Sequence, residues 1–599
     1  MLNYSFLKDS GCVLDSRQEE HMNRKIYDNI IAVASGRKEA DLCIRHAKIL
    51  DVFNKEWFDG DLLISEGYIA GTVESGRGKA RAYEEAGGRY LVPGFIDSHV
   101  HIESSHLSPT EFSNLVTPCG TTTVIADPHE IANVCGVNGI KYMLSSSEHA
   151  ALSVMLMIPS CVPATSFEHS GANLDAKAIA PLLDKPRVLG LGEMMNYVGV
   201  VNGQKAVLDK VWEARSKDLI VDGHAPAISG KEMSAYVASG IRTSHESETP
   251  KELRERIRLG LYVMLRQGSA CRNLNGLLGG VDGNNWRRCL FCTDDRQPKS
   301  ILAEGHINNN VRMAVAGGLD PITAICIATI NAAECYRLDD RGAIAPGRRA
   351  DFLLFNDLKE FNPQRVFILG RQVAENGYLQ VHSDAIEPKN VTGMMHIKDF
   401  SVGRLALHLK KDRVRVIDVI PGGVVTASGE ATVKVEKGIW IHDPAADILK
   451  IAVIERHHDT GNIGLGLIRG YGLKHGAVAI SIAHDSHNLI VVGDNDQDMA
   501  IAVEDLVRLG GGVALAKDGK VLGDLALPIA GLMTDQPARE VAGELAELHQ
   551  IAFGTLKVNK DVDPLMTLCF MALPVIPALK ITDMGLFDVN AFKRVPLEL

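Results

Sequence analysis

Residues 91–105 read LVPGFIDSHVHIESS, an apolar run that closes on two histidines, His99 and His101. On a strand, residues two apart face the same side, so both imidazoles of such a pair point one way, as two ligands of one ion require. The spacing alone also fits an ordinary alternating strand. What gives it weight is the local frame of Pro93, Gly94 and Asp97, together with the recurrence of similar residues at the ends of later apolar runs.

Eight such runs lie between about Leu91 and Leu338: YLVPGFIDSHVH, TTTVIADPHE, ALSVMLMIPS, RVLGLGEMM, DLIVDGHAP, GIRTSHES, LYVMLRQGS and CLFCTDD. Helical patterns separate them. Spacings of roughly 20–35 residues suit repeated strand–helix units and a parallel sheet. Eight units in roughly 250 residues predict a (β/α)8 TIM-type barrel, whose active site lies at the C-terminal strand ends. Those ends carry His99 and His101, Glu193, His224, His245 and Asp294. Nitrogen and oxygen donors of this kind suit Zn, Mn, Fe or Co. Six donors exceed the needs of one catalytic ion, whereas two ions sharing a bridging carboxylate would use them all. Taken singly, a strand-end histidine also reads as a hydrogen-bonded structural residue, and an aspartate in TDD as a helix cap.

The chain outside this region frames it. With 599 residues it is too long for one simple domain. A net charge of −11 gives no basic footprint for nucleic acid, and no apolar run is long enough to span a bilayer. The N-terminus does not read as a signal peptide. Eleven cysteines without a secretion signal point to reduced thiols and a cytoplasmic location. The CxxC of Cys289 and Cys292 sits inside CLFC and reads as buried strand. Residues 1–36 are expected to be a helical lead-in, with Gln18–Val33 as its helix. Residues 37–90 and 341–394 show short alternating runs and read as a small β-sandwich domain that the barrel, 91–340, interrupts. Residues 395–599 read as a further α/β domain, with one clear helix at Asp496–Leu509 and Gly510–Gly512 as its stop.

PGFIDSHVHIE, DGHAP, SHES and CTDD resemble the amidohydrolase superfamily. Within it the chain is similar to the adenine deaminase family, through HVHIESS at 99–105, IADPHEIANV at 125–134, GLGEMMNY at 190–197, DGHAP at 222–226 and CTDDR at 292–296. The tail, with ISIAHDSHNLIVVG at 480–493 and LGGGVALAKDGKVL at 509–522, resembles that family's extra C-terminal domain. The resemblance covers about residues 37–595. Cyclic-amide hydrolases of the superfamily commonly bridge their metals with a carboxylated lysine on the fourth strand. Glu193 stands there in this chain, which counts against a hydantoinase or dihydroorotase-like activity.

The resemblance implies hydrolytic deamination of adenine to hypoxanthine and ammonia by a metal-bound hydroxide at a binuclear centre, a purine salvage reaction. A related aminopurine such as an N6-substituted adenine is the alternative substrate. His99, His101 and Asp294 would hold one divalent ion, His224 and His245 the other, and Glu193 would bridge. The ions implied are Mn2+ first, with Fe2+ or Zn2+ next. Asp294 would accept the proton of the attacking water. Glu103, two residues past His101 and on its face if the strand continues, would be the acid that protonates N1. Asp127 and His129 are ring-binding or supporting candidates, although Asp127-Pro128 also reads as a turn. Asp295 is a capping or supporting candidate. His457, His458, Asp459, His484, Asp485 and His487 read either as a solvated loop or as part of a domain closing over the barrel mouth, there to shape the purine pocket or hold an extra metal, with His484 as a substrate-binding or supporting candidate. A homodimer is the expected assembly.

Overall fold

A computed structural model describes residues 22–599 apart from Ala227 and His382. The part of the predicted Gln18–Val33 helix before residue 22 lies outside the described residues. Within them a helix runs from Arg24 to Ala34, capped by the Asn23 side chain on the Ile26 amide.

The apolar runs of the middle region form eight strands: β1 (Phe95–Val100), β2 (Thr121–Ala126), β3 (Ser153–Ile158), β4 (Val188–Met194), β5 (Ile220–Gly223), β6 (Thr243–Ser244), β7 (Tyr262–Arg266) and β8 (Cys289–Cys292). Every residue of β1, β2 and β3 is buried, the pattern of strands covered on both faces. Strands β1 to β5 pair in parallel, as do β6 to β8. Two seams complete the ring. The Arg242 amide donates to the Val221 carbonyl at 2.9 Å between β5 and β6, and the Asp294 amide donates to the His99 carbonyl at 3.0 Å between β8 and β1. The interior is filled by Ile96, Ile125, Met155, Ile220, Met264 and Leu290, and by Tyr336 from the helix Ile330–Tyr336. This is the expected barrel. CLFC is buried strand, with both cysteines free thiols.

The first run divides differently from the sequence reading. Tyr90–Pro93 is not part of the barrel. It pairs antiparallel with Phe352–Phe355 in a nine-stranded sheet built from residues 40–93 and 352–379. Gly94 is the turning point, because a Cβ there would lie 2.1 Å from the Thr122 hydroxyl. Ile64 and Phe367, from distant strands of this sheet, share one apolar cluster.

The C-terminal region forms an eight-stranded, largely antiparallel sheet between Arg413 and Ala526. The helix Asp496–Leu509 packs on it through Met499, Val503 and Leu506. That helix starts at the Asn495 side chain, which accepts from the Asp498 amide at 2.8 Å, and ends on Gly510 in the left-handed region. The C-terminal region reaches the barrel mouth where the Ser108 amide donates to the Thr534 carbonyl at 3.0 Å. No helix among the described residues is long and apolar enough to cross a membrane.

Candidate active site

The six predicted ligands meet at the C-terminal end of the barrel, around the carboxylate of Glu193 on β4. Glu193 Oε1 lies 3.3 Å from His101 Nε2 and 4.0 Å from His99 Nε2. Its other oxygen lies 2.8 Å from His224 Nδ1 and 3.3 Å from His245 Nε2. Asp294, just past β8, places Oδ1 at 3.3 Å from His101 Nε2 and 3.9 Å from His99 Nε2. His99 and His245 stack with ring centroids 4.3 Å apart. The His224 side chain is 20 % exposed while those of His99, His101, Glu193 and His245 are at 3 % or less, so the mouth opens on the His224 side.

This donor set fits a bound cation. His99 Nε2 is buried without a hydrogen-bond partner, and its nearest carboxylate oxygens are too far to supply one. Burial alone would raise Glu193, but the imidazoles of His224, His101 and His245 outweigh it and hold the carboxyl well below the usual range. Burial also works against ionisation of Asp294, yet Arg266 keeps it far below its ordinary value.

Neighbouring groups orient His101 and Glu193. His101 Nδ1 bonds the Asp127 carbonyl at 2.9 Å, which leaves Nε2 to face Glu193 and Asp294. Asp127 Oδ2 accepts from the Glu193 amide at 2.8 Å. That approach needs Gly192, since a Cβ there would lie 2.1 Å from Asp127 Oδ2. His129 Nδ1 stands 3.3 Å from Glu193 Oε1, so His129 joins the cluster as well. Asp295 accepts from the Ser104 hydroxyl at 2.5 Å.

Glu103 corrects one expectation. The first strand stops at Val100, and residues 102–105 form a 3-10 turn. Glu103 therefore reaches the interior from that turn and not from a continued strand face. Its Oε1 accepts from the Ile131 amide at 3.2 Å, and Oε2 is buried without a partner. Burial pushes it up to about 7.

The solvated-loop reading fails for His484, Asp485 and His487, which are buried against the barrel, but holds for Asp459, which is exposed. His484 Nδ1 lies 2.6 Å from Glu130 Oε1, and its ring stacks on Phe570. His457 and His458 face the same seam, the latter bonding the Ser170 carbonyl at 2.8 Å.

Several residues carry roles that the sequence reading does not reach. Arg266 closes β7 and bonds Asp294 Oδ2 at 2.6 Å and Glu246 Oε1 at 2.5 Å. It obeys the same strand-end rule as the ligands, applied to a cation. Glu246 lies 3.4 Å from His245 Nε2 and adjoins it in SHES. The Tyr236 hydroxyl bonds the Met194 carbonyl at 2.7 Å and the His224 amide at 2.8 Å, tying β4 to β5. A lone tyrosine on a helix carries no sequence signal for that role.

A closed parallel barrel with histidines and carboxylates gathered at its C-terminal strand ends defines a metal-dependent hydrolase of the amidohydrolase class. The comparisons agree: the amidohydrolase family profile matches residues 90–373, and that of the adenine deaminase C-terminal domain matches residues 423–593. "Adenine deaminase 2" of Desulfotalea psychrophila is 48% identical over 578 residues, covering 96% of this chain and 100% of the relative. "Adenine deaminase" of Nitratidesulfovibrio vulgaris (strain DP4) is 49% identical over 569 residues, covering 95% and 98%. The "Adenine deaminase" of Clostridium acetobutylicum is 46% identical over 564 residues, covering 94% and 98%. The chain belongs to the adenine deaminase family.

Proposed function

We infer that this chain hydrolyses adenine to hypoxanthine and ammonia, with the cluster around Glu193 as its catalytic centre. The single observation that carries the reading is the convergence of His99, His101, His224 and His245 on the two oxygens of Glu193, with Asp294 facing His99 and His101. His99, His101 and Asp294 would hold one divalent ion and His224 and His245 a second, with Glu193 shared between the two sites. The donors are imidazole and carboxylate, which suits Mn2+, with Fe2+ or Zn2+ next. Ions bound there would supply a lowered pKa for water and polarisation of the reacting carbon.

The chain's own groups handle the protons. Asp294, kept ionised by Arg266, takes one proton from the water that adds to C6 of the purine. Glu103, whose free Oε2 faces the interior, donates to N1, so that the ring accepts the electron pair. The proton on Asp294 passes to the exocyclic amine, the C6–N bond breaks, and ammonia leaves. The proton remaining on the C6 oxygen returns through solvent to Glu103, which leaves hypoxanthine with its N1–H. Asp127 and His129 orient the bridge, and Asp295 positions Ser104 at the same mouth. Homodimerisation completes the proposal as the commonest closed assembly. The ten cysteines of the described residues are free thiols, which supports a cytoplasmic setting.

The test is ammonia release and the ultraviolet change on adding adenine to chelator-treated protein, with and without Mn2+. Metal-dependent conversion to hypoxanthine is expected. Absence of turnover with any divalent ion would refute the assignment of this centre.

A further inference from the structure

A second convergence of imidazoles lies beside the first. Glu130, in the short helix His129–Cys135 that follows β2, is fully enclosed. Its Oε1 lies 2.6 Å from His484 Nδ1 and 3.4 Å from His129 Nε2, and its Oε2 meets His487 Nε2. The donor atoms of Glu130, His484 and His487 all lie within 4.8 Å of one another. Two of the three come from the C-terminal region, more than 350 positions along the chain from Glu130.

A further buried carboxylate, Asp485, adjoins Glu130 and His484. Asp485 and Glu168 are only 3 % and 5 % exposed; Asp485 Oδ2 has no hydrogen-bond partner, and Glu168 has the Ser486 side chain alone beside it. Asp485 Oδ1 is 4.0 Å from His129 Nε2, and Glu168 feels the charge of Asp485. Buried carboxylates without partners are costly, and cations normally compensate them. The nearby buried guanidinium of Arg456 does not do so. It donates to the carbonyls of Met394, His487 and Ala530 and thereby fixes the loop that carries His487.

We propose that Glu130, His484 and His487 form a third divalent-metal site, separate from the Glu193 cluster, that pins the C-terminal region to the barrel mouth. Two imidazoles and a carboxylate make up a zinc-type donor set with a fourth position open. His129 Nε2 borders that position. Because the ligands come from two parts of the fold, binding of the ion is coupled to their docking. The proposal holds whichever ions occupy the Glu193 cluster.

The full-length protein is stripped with chelator, dialysed against Zn2+, and its metal counted per chain by mass spectrometry, with affinities from chelator competition. His484→Ala and His487→Ala are each expected to bind one equivalent fewer than the parent, or to hold it at least ~100-fold more weakly, beyond what loss of a supporting partner costs. His99→Ala is expected to lose metal from the Glu193 cluster and keep the third equivalent, which separates failure of this site from failure of the catalytic assignment. Equal counts and affinities in the parent and both C-terminal variants would overturn the proposal. If the variants do not fold, anomalous diffraction from Zn2+-soaked parent crystals decides: a peak between Glu130, His484 and His487 supports the site, and none overturns it.

Discussion

Asp97 on β1 grips Thr293 at the end of β8 with both oxygens. Oδ2 accepts from the Thr293 hydroxyl at 2.5 Å and Oδ1 from the Thr293 amide at 3.1 Å. The clamp lies next to His99 and Asp294 in sequence and closes the barrel there. Thr293→Val keeps the volume but removes the hydroxyl. Loss of one partner of a buried hydrogen bond costs about 1–3 kcal/mol. Urea unfolding is expected to show that loss together with a lower kcat, and an unchanged midpoint and rate would show the clamp to be idle.

Gly192 sets the distance between Asp127 and Glu193. Gly192→Ala puts a methyl into the Asp127 carboxylate and displaces the contact that holds the Glu193 amide. Disturbing such a support typically costs 10–100-fold in metal affinity or activity, and a drop of about that size is expected here. Metal titration of the stripped variant measures it, and parent-like affinity would contradict the role given to Asp127.

Glu103→Gln tests the acid. The amide keeps the shape and the Ile131 contact but cannot supply the proton to N1. A fall of ~10²–10⁴ in kcat is expected, with metal content unchanged. A variant that keeps full kcat would return the acid's role to another group.

Lys580 is a buried amine with one acceptor, the Val424 carbonyl at 2.8 Å. Burial lowers it to about 7, while in the unfolded chain a lysine titrates near ~10.4. Above both values neither state is charged and there is no penalty. As pH falls between them the unfolded chain takes up the proton first, so stability drops until about pH 7 and then levels off. Lys580→Met removes that penalty, offset in part by the lost bond to Val424. The variant is expected to be ~1–4 kcal/mol more stable than the parent at pH 7, with the gap shrinking towards pH 10. Denaturant curves at the two pH values check the sign, and a gap that widens with pH would refute the account.

How far the sequence reaches is clearest at the strand ends. The β/α repeat, the interrupted small sheet and the helix Asp496–Leu509 are local patterns of apolar period and turn residues, so the order of the residues alone makes them legible. The gathering of His99, His101, Glu193, His224, His245 and Asp294 at one end of the barrel is legible for the same reason. Each one closes an apolar run, and a parallel barrel places all such ends on one face. The register argument that points to Glu103 fails, because the strand gives way to a turn after Val100, although the residue still reaches the interior.

Contacts between distant segments carry no periodic signal, and only the tertiary structure decided them. Arg266 on Asp294, Tyr236 across β4 and β5, and the grip of Asp97 on Thr293 each join residues far apart in sequence. The largest such decision is the docking of His484 and His487 onto Glu130. The sequence determined that the protein is a barrel with a ring of metal-type residues, because alternation and strand ends are local. Folding decided what surrounds that ring, because burial is a property of the whole chain.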